Sequence, residues 1–578
     1  VASTRTQVEA PGTGPDDRTP PDGAGALLRR SVRRQARQLV PGYSLLVVWQ
    51  LCETLVPVVI GLVVDQAVDG GTLGDLAWTL GVLVALFLVL SNGYRYGARF
   101  IVRGIQTEAH LLRGEVSAHV LHPRGARTDR LAGETLSIAT SDAELVPSVL
   151  HQLGYALASL VAVVATAVYV LSVDVVLGLV ILLGVPGVLL VIQALAPLVA
   201  RRTRRQQEST ASASGVAADV LTGLRPLKGI GGEDVALGRY RSASRQASSD
   251  TIAVARSWGY LAGLTTALSG ILLAVVAVVA GERALDGTIG LGQLIALVGL
   301  TQFLAEPIRG LGDVSAQFAA SRASAGRIVE FLNTPRVLAP GGRGPSEDRP
   351  GLVLESAVVG PLRGVDLRTS ADELVAVSID DPAVSDTLMA VLTGEVTLTS
   401  GRARLGDVDL HELSVEGRRL HLLVASHHSG VFEGTLRSTV DPGGERTDAD
   451  LAPALAASAA DDVVRLHPDG LDRAVRAAGS SLSGGQRQRL TLARALATDR
   501  PVLVLQDPTS AVDAVTEQNI ARGVRRLRRG RTTLVITSSP ALLQHADRVV
   551  VVRDGRVVAE GTHADLVRDP TYRAAVDR

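Results

Sequence analysis

The residues best suited to contacting a phosphate lie in the second half of the chain. Leu482-Ser483-Gly484-Gly485-Gln486 runs directly into Arg487-Gln488-Arg489-Leu490 and the helical stretch Thr491–Ala497. A serine and two glycines opening a helix present backbone N–H groups, and the helix dipole adds partial positive charge there. Glycine also permits close backbone approach that a Cβ would block. A short apolar run, Pro501–Leu505, then ends in Gln506 and Asp507, and Pro508-Thr509-Ser510-Ala511-Val512 leads on to Asp513. Asp507 is a carboxylate able to polarise a water. The neighbours His427 and His428 offer imidazoles, but no clear third ligand stands with them, so no metal site is expected.

A standard phosphate-binding loop needs Gly-x4-Gly-Lys-Ser/Thr between a strand and a helix. The matching position follows the run Leu374–Ser378 and reads Ile379-Asp380-Asp381-Pro382-Ala383-Val384-Ser385-Asp386-Thr387-Leu388. Ile379 and Val384 occupy the glycine positions. Ser385 replaces the lysine and Asp386 the magnesium-binding hydroxyl. Pro382 removes an N–H donor. Asp380, Asp381 and Asp386 add negative charge where a polyphosphate would sit. No change of register repairs the loop. Lys228 is the only lysine among 58 Lys+Arg, and it lies ahead of this region.

The elements that must position these residues form two halves. In the second, short β-rich runs (Leu374–Ile379, Val502–Leu505, Thr533–Ile536, Arg548–Val552) alternate with helical stretches such as Gln486–Ala497 and Thr516–Arg529. This predicts a mainly parallel sheet covered by helices. A Pro/Gly-rich linker, 333–351, precedes it, and the soluble α/β domain spans 352–578.

The first half predicts a membrane domain over 26–332. Six apolar stretches are long enough to span a bilayer: Pro41–Val68, Asp75–Phe100, Pro147–Val173, Asp174–Val199, Ile252–Gly281 and Ile289–Leu311. Their connections are either tight turns rich in Asp and Glu or long polar segments rich in arginine. By the positive-inside rule, the long segments and both chain ends face the cytoplasm. The long segments carry helical patterning and are expected to extend the membrane helices, since structureless loops of that length are unusual. The basic segment Arg29–Arg34 predicts an interfacial elbow helix, and residues 1–25 a disordered tail without a secretory signal. The 58 Lys+Arg balance 58 Asp+Glu, which argues against a general nucleic-acid binder. A single cysteine, Cys52, excludes an intramolecular disulfide framework.

The run from Leu482 to Asp513, preceded by six spans, resembles the signature, Walker B and D-loop sequence of ATP-binding cassette (ABC) transporters. The chain is similar to one half-transporter of the type IV exporter fold: a membrane all-α six-helix domain plus an α/β nucleotide-binding domain. The resemblance implies ATP and Mg2+ as cofactors. It implies that Ser483, Gly484, Gly485, Gln486 and Asp513 contact nucleotide held by the opposite cassette. It also implies that the chain's own site is degenerate at Ser385, Asp386, His427 (the Q-loop position), Gln506, Asp507 and Ser538 (the switch position). Asp507 is one methylene shorter than the family's catalytic Glu, and no adenine-stacking aromatic is evident in Leu352–Leu362. A homodimer would hold two defective sites. The expected partner is therefore a second half-transporter with intact Walker A, Walker B and catalytic Glu. Coupling helices are expected from Gly133 through Asp142 and within Ala211–Gly223.

Substrate information is thinner. Glu53 and Glu306 are ionisable residues within spans and are candidates for the substrate pathway. An inter-helix salt bridge or a water-facing helix end is the more ordinary explanation for such residues. Aromatics make up 3% of the chain, too few to favour a large aromatic cage. Export of a lipophilic small molecule, peptide or lipid across the bacterial plasma membrane is the first reading. The alternatives are an exporter-fold importer, such as one for siderophores, and an ATP-regulated channel or regulatory pseudo-ATPase.

Overall fold

The structure, a computed structural model, describes all residues except 1–20, 69–71, 128–129, 131, 340, 343, 348, 428–429 and 577–578. Most of the expected tail, and His428, lie outside the described residues. The chain divides into two units. One holds the stretch to Ala118 together with Asp129–Asn333, and the other holds His119–Thr128 with Thr334–Arg578.

The first unit is helical. Its long elements are α1 (Ala24–Val68), α2 (Leu73–Val120), α3 (Ser148–Val173), α4 (Val175–Thr222), α5 (Glu233–Leu285) and α6 (Leu291–Leu332). Among the described residues, six helices are long and apolar enough to cross a membrane. At 48 residues, α2 and α4 are each about 70 Å long, more than twice the hydrocarbon thickness. The long polar segments are thus largely continuations of the span helices, as the patterning predicted. Apolar side chains such as Trp78, Leu88, Leu183 and Tyr260 stand exposed, which suits a lipid-facing surface.

Two local expectations are corrected. The basic segment Arg29–Arg34 is not a separate elbow: helix α1 starts at Ala24 and runs unbroken to Val68. Its first turns are fixed on α2, where the fully buried Glu108 accepts from Ser31 Oγ at 2.8 Å and Gln35 Nε2 at 3.0 Å. Arg34 pairs with Glu115 at 2.8 Å. Such buried carboxylates are tolerated because their lone pairs are satisfied. The second short helix lies not within Ala211–Gly223, most of which belongs to α4, but at Leu224–Gly229. The first is a composite of Ala132–Ser137, a π turn over Ile138–Asp142, and Ala143–Leu145. Arg327 of α6 anchors it, donating from Nε to Asp142 at 2.9 Å.

Packing brings α1 against α3 and α6, and α4 against α5. The α1–α6 crossing depends on two glycines. A Cβ at Gly61 would lie 2.2 Å from the Gly292 carbonyl oxygen, and one at Gly292 would lie 2.0 Å from the Gly61 oxygen. The same close approach lets Gly292 N–H donate to Asp65 at 2.6 Å.

The second unit contains three sheets among the described residues, the smallest a two-stranded antiparallel pair of Gly434–Thr435 with Ala474–Val475. A four-stranded antiparallel sheet has the order β2–β1–β4–β5, from β1 (Leu352–Val359), β2 (Leu362–Arg368), β4 (Ser400–Leu405) and β5 (Val408–Asp409). The central sheet has the order β10–β9–β3–β8–β7–β6, from β3 (Leu374–Ile379), β6 (Leu422–Ala425), β7 (Val502–Gln506), β8 (Thr532–Ile536), β9 (Arg548–Arg553) and β10 (Arg556–Gly561). Five of its strands are parallel, and β10 pairs antiparallel to β9. Strands β7 and β8 are buried along their whole length, which is why they read as continuous apolar or β-branched runs rather than alternating ones. The helices that matter to the site are α7 (Pro382–Thr393), α8 (Gly484–Ala497) and α9 (Ala514–Leu527). The stretch His119–Thr128 joins this unit through its backbone. Arg127 N–H donates to the Pro335 oxygen and Leu338 N–H to the Arg124 oxygen, each at 2.9 Å.

Gly292→Val is expected to destabilise the purified chain by about 1–3 kcal/mol through forced separation of α1 and α6. A thermal melt in detergent checks this. Gly81→Ala, inside α2 with open space around it, does not lower the melt and is expected to raise it slightly through helix propensity.

Candidate functional site

The turn between β3 and α7 is where a phosphate loop would stand. Helix α7 starts almost at the strand's end, with Asp381 as its N-cap and Pro382 at its first position. Asp381 Oδ1 accepts from Ala383 N–H at 2.9 Å, so a carboxylate of the chain itself occupies the anion-accepting end of this helix. Val384, at a glycine position of the expected loop, is 2% exposed and packs into the core with Leu388 and Val377.

Beneath this turn, three substituted positions bond to one another. Gln506, at the end of β7, donates from Nε2 to Ser385 Oγ at 3.0 Å and to Asp386 Oδ1 at 2.9 Å. Gln506 and Ser385 are both buried. One amide group thus uses both its N–H bonds on the positions expected to hold a lysine and a metal ligand. An aspartate at 506 would instead oppose Asp386 with a like charge. The next residue, Asp507, has φ of 43°, in the left-handed region, and its N–H donates to the Ile536 oxygen at 2.9 Å. Burial pushes the Asp507 carboxyl above its ordinary range. The nearby His427 opposes that shift, and Asp386 adds to it. His427 and Gln506 also line a cavity of only about 20 Å³ with Gln488 and Pro508. Ser538 is exposed just beyond β8. The residues here do not fit a magnesium nucleotide: the lysine is missing, the helix N-terminus is capped from within, and the amide donors are committed.

The signature side differs. Ser483 caps α8 reciprocally with Gln486: Gln486 N–H donates to Ser483 Oγ at 3.2 Å, and Ser483 N–H to Gln486 Oε1 at 3.0 Å. The two glycines have separate reasons. A Cβ at Gly485 would meet the Ala511 carbonyl oxygen at 2.8 Å, whereas at Gly484 the nearest atom is 4.0 Å away. Gly485 therefore permits packing within the chain, and the exposed Gly484 leaves the helix start open to an approaching anion.

Gln488 is the residue that sequence reading missed. Its Nε2 donates to the Asp507 oxygen at 2.8 Å and to Ser510 Oγ at 2.9 Å, and its Oε1 accepts from Ala511 N–H at 2.8 Å. It ties the second turn of α8 to the loop after β7. Flanked by Arg487 and Arg489, it carries no mark in the sequence that separates it from a solvated helix face. Asp513, expected among the nucleotide contacts, is here the N-cap of α9. It accepts from Val515 and Thr516 N–H at 3.1 and 3.0 Å and from Thr516 Oγ1 at 2.7 Å. These donors hold its carboxyl below the usual range.

In the membrane unit, Glu53 of α1 and Glu306 of α6 line one cavity of about 480 Å³, with Trp49, His151 and Tyr155 on its wall. Among the described residues, neither carboxylate forms an ion pair within the chain. Trp49, Tyr155 and Phe303 are the aromatics among the lining residues. The His151 and Tyr155 rings stack at 4.2 Å, and Trp49 meets Tyr155 edge-on at 6.0 Å.

Residues 42–308 match the family of the ABC transporter transmembrane region, and residues 385–510 match the ABC transporter family. The multidrug efflux ATP-binding/permease protein of Mycobacterium tuberculosis is 29% identical over 94% of this chain, which spans 46% of that protein's length. The ATP-dependent lipid A-core flippase of Chromohalobacter salexigens is 27% identical, over 88% of this chain and 90% of its own. A bacterial Atm1-family ABC exporter solved with ATP bound shares the fold, with TM-score 0.75, 21% identity, and coverage of 96% of this chain and 98% of its own. With both regions present in this order over a fold shared nearly end to end, the chain is a membrane protein built from an ABC transporter transmembrane region in the exporter fold and an ABC transporter nucleotide-binding domain.

Proposed function

We propose that this chain is the catalytically degenerate half of a heterodimeric ATP-driven exporter. One observation carries the reading: the Gln506 amide closes the chain's own site onto Ser385 and Asp386, while the start of α8 at Ser483–Gly484 remains exposed. A site that is closed on one side of the domain and open on the other suits a head-to-tail pair with a single working ATP site. The partner would bring the Walker A lysine, the magnesium ligands and the catalytic Glu. This chain would bring backbone N–H groups at the N-terminus of α8, aimed at the phosphate the partner holds.

Within this chain the parts then have distinct roles. Ser483 and Gln486 fix the geometry of the helix start. Gln488 holds that helix against the loop after β7, so displacement of one is passed to the other. The arginine-rich helix extensions and both termini would face the cytoplasm. The similarity to proteins named as a multidrug efflux permease and a lipid A-core flippase supports an amphiphilic or lipophilic small molecule, peptide or lipid as cargo.

Purified alone in lipid, the chain is expected to hydrolyse ATP no faster than a protein-free control. With its partner, turnover appears, and Ser483→Arg in this chain lowers it by at least about a hundredfold. Substantial turnover by the lone chain would contradict the reading. MgATP is also expected to leave the melting temperature of the lone chain unchanged, because a ligand stabilises a fold only by binding it. A saturable rise would show that the closed site opens to nucleotide.

A further inference from the structure

We infer that the cavity between α1, α3 and α6 is a binding site for an organic cation with an aromatic or apolar body. The inference rests on the exporter reading above and narrows its cargo.

Glu53 and Glu306 come from different helices and line the same cavity of about 480 Å³. Among the described residues, no Arg, Lys or His forms an ion pair with either carboxylate. Gln50, itself 5% exposed, donates from Nε2 to Glu53 at 3.2 Å. A neutral amide orients that carboxylate and leaves its charge uncompensated. Two acidic groups on membrane-spanning helices, facing one space and lacking a counter-cation within the chain, are unfavourable as anions unless a cation or a proton joins them, and a bound cation would displace the proton. The cavity is large enough for a molecule rather than a bare ion.

The wall fixes the rest of the ligand's chemistry. Trp49, His151 and Tyr155 form a continuous aromatic patch on it. Aromatic faces attract a cation through their quadrupole and also take up apolar surface. An anion or a phosphate headgroup would meet two carboxylates with no Arg or Lys among the lining residues to offset them. A neutral lipid would gain from the aromatics but leave the carboxylates unpaired. A delocalised or quaternary organic cation satisfies both halves of the site.

The test is equilibrium binding of radiolabelled tetraphenylphosphonium to the full chain in lipid nanodiscs, with empty nanodiscs subtracted. Saturable binding is expected, and unlabelled tetraphenylborate, of the same shape and opposite charge, fails to compete. Glu53→Gln with Glu306→Gln raises Kd by at least about tenfold, and Glu53→Asp with Glu306→Asp, which keeps the charge, restores most of the affinity. The thermal melt of each variant shows whether it is folded. Lack of saturable binding, equal competition by tetraphenylborate, or an unchanged Kd in the folded double Gln variant would overturn the inference. Transport is read separately. Carboxylate-dependent binding without ATP-driven flux would sink the exporter reading and leave this one standing. Flux that ignores both carboxylates would do the reverse.

Discussion

The nucleotide-binding domain turns on one side-chain amide. Gln506 at the end of β7 reaches Ser385 and Asp386 on α7 and joins the strand to the helix where a magnesium nucleotide would ordinarily come between them. Leaving such buried groups unsatisfied would cost about 1–3 kcal/mol each. The three substitutions are therefore mutually consistent rather than three separate losses. An amide replaces an acid opposite an acid, a hydroxyl replaces an ammonium, and the helix terminus is capped by Asp381. The result is a folded domain that needs no nucleotide to satisfy its own interior.

The turn after β3 and the signature at the start of α8, the helix that precedes β7, flank strands of one sheet and are linked through the end of β7 and the loop after it. Gln488 bridges α8 to the Asp507 and Ser510 region, and the close Ala511 carbonyl leaves no room for a Cβ at Gly485. Packing at this corner thus sets the shape of the helix start at Ser483–Gly484. Asp513 contributes in the same way, as a helix cap that sets where α9 begins.

Much of this was legible from residue types alone. The six spans follow from apolar length, and the departure of the β3–α7 turn from the standard phosphate-loop pattern is plain from the absence of any lysine after Lys228. The parallel strands β7 and β8 are visible because burial on both faces demands unbroken runs of apolar and β-branched residues. What was not legible depends on distant pairings. The Gln506–Ser385 bond spans 121 positions, and the α1–α2 contact at Glu108 fixes a segment that local charge alone marks as an elbow. Gln488 was missed because a buried-side amide and a solvated one look alike in sequence. Glu53 and Glu306 were visible as anomalies in apolar helices, yet only the packing of α1 on α6 shows that they share a cavity.

The central claim, one working site completed in part by this chain, is tested most directly by counting trapped nucleotide. With the purified pair inhibited by vanadate during turnover, the account predicts one tightly held nucleotide per pair, cross-linking to the partner's Walker A and lost when Ser483 of this chain is replaced by Arg. Two nucleotides per pair, or one cross-linked at Ser385–Asp386 of this chain, would contradict it.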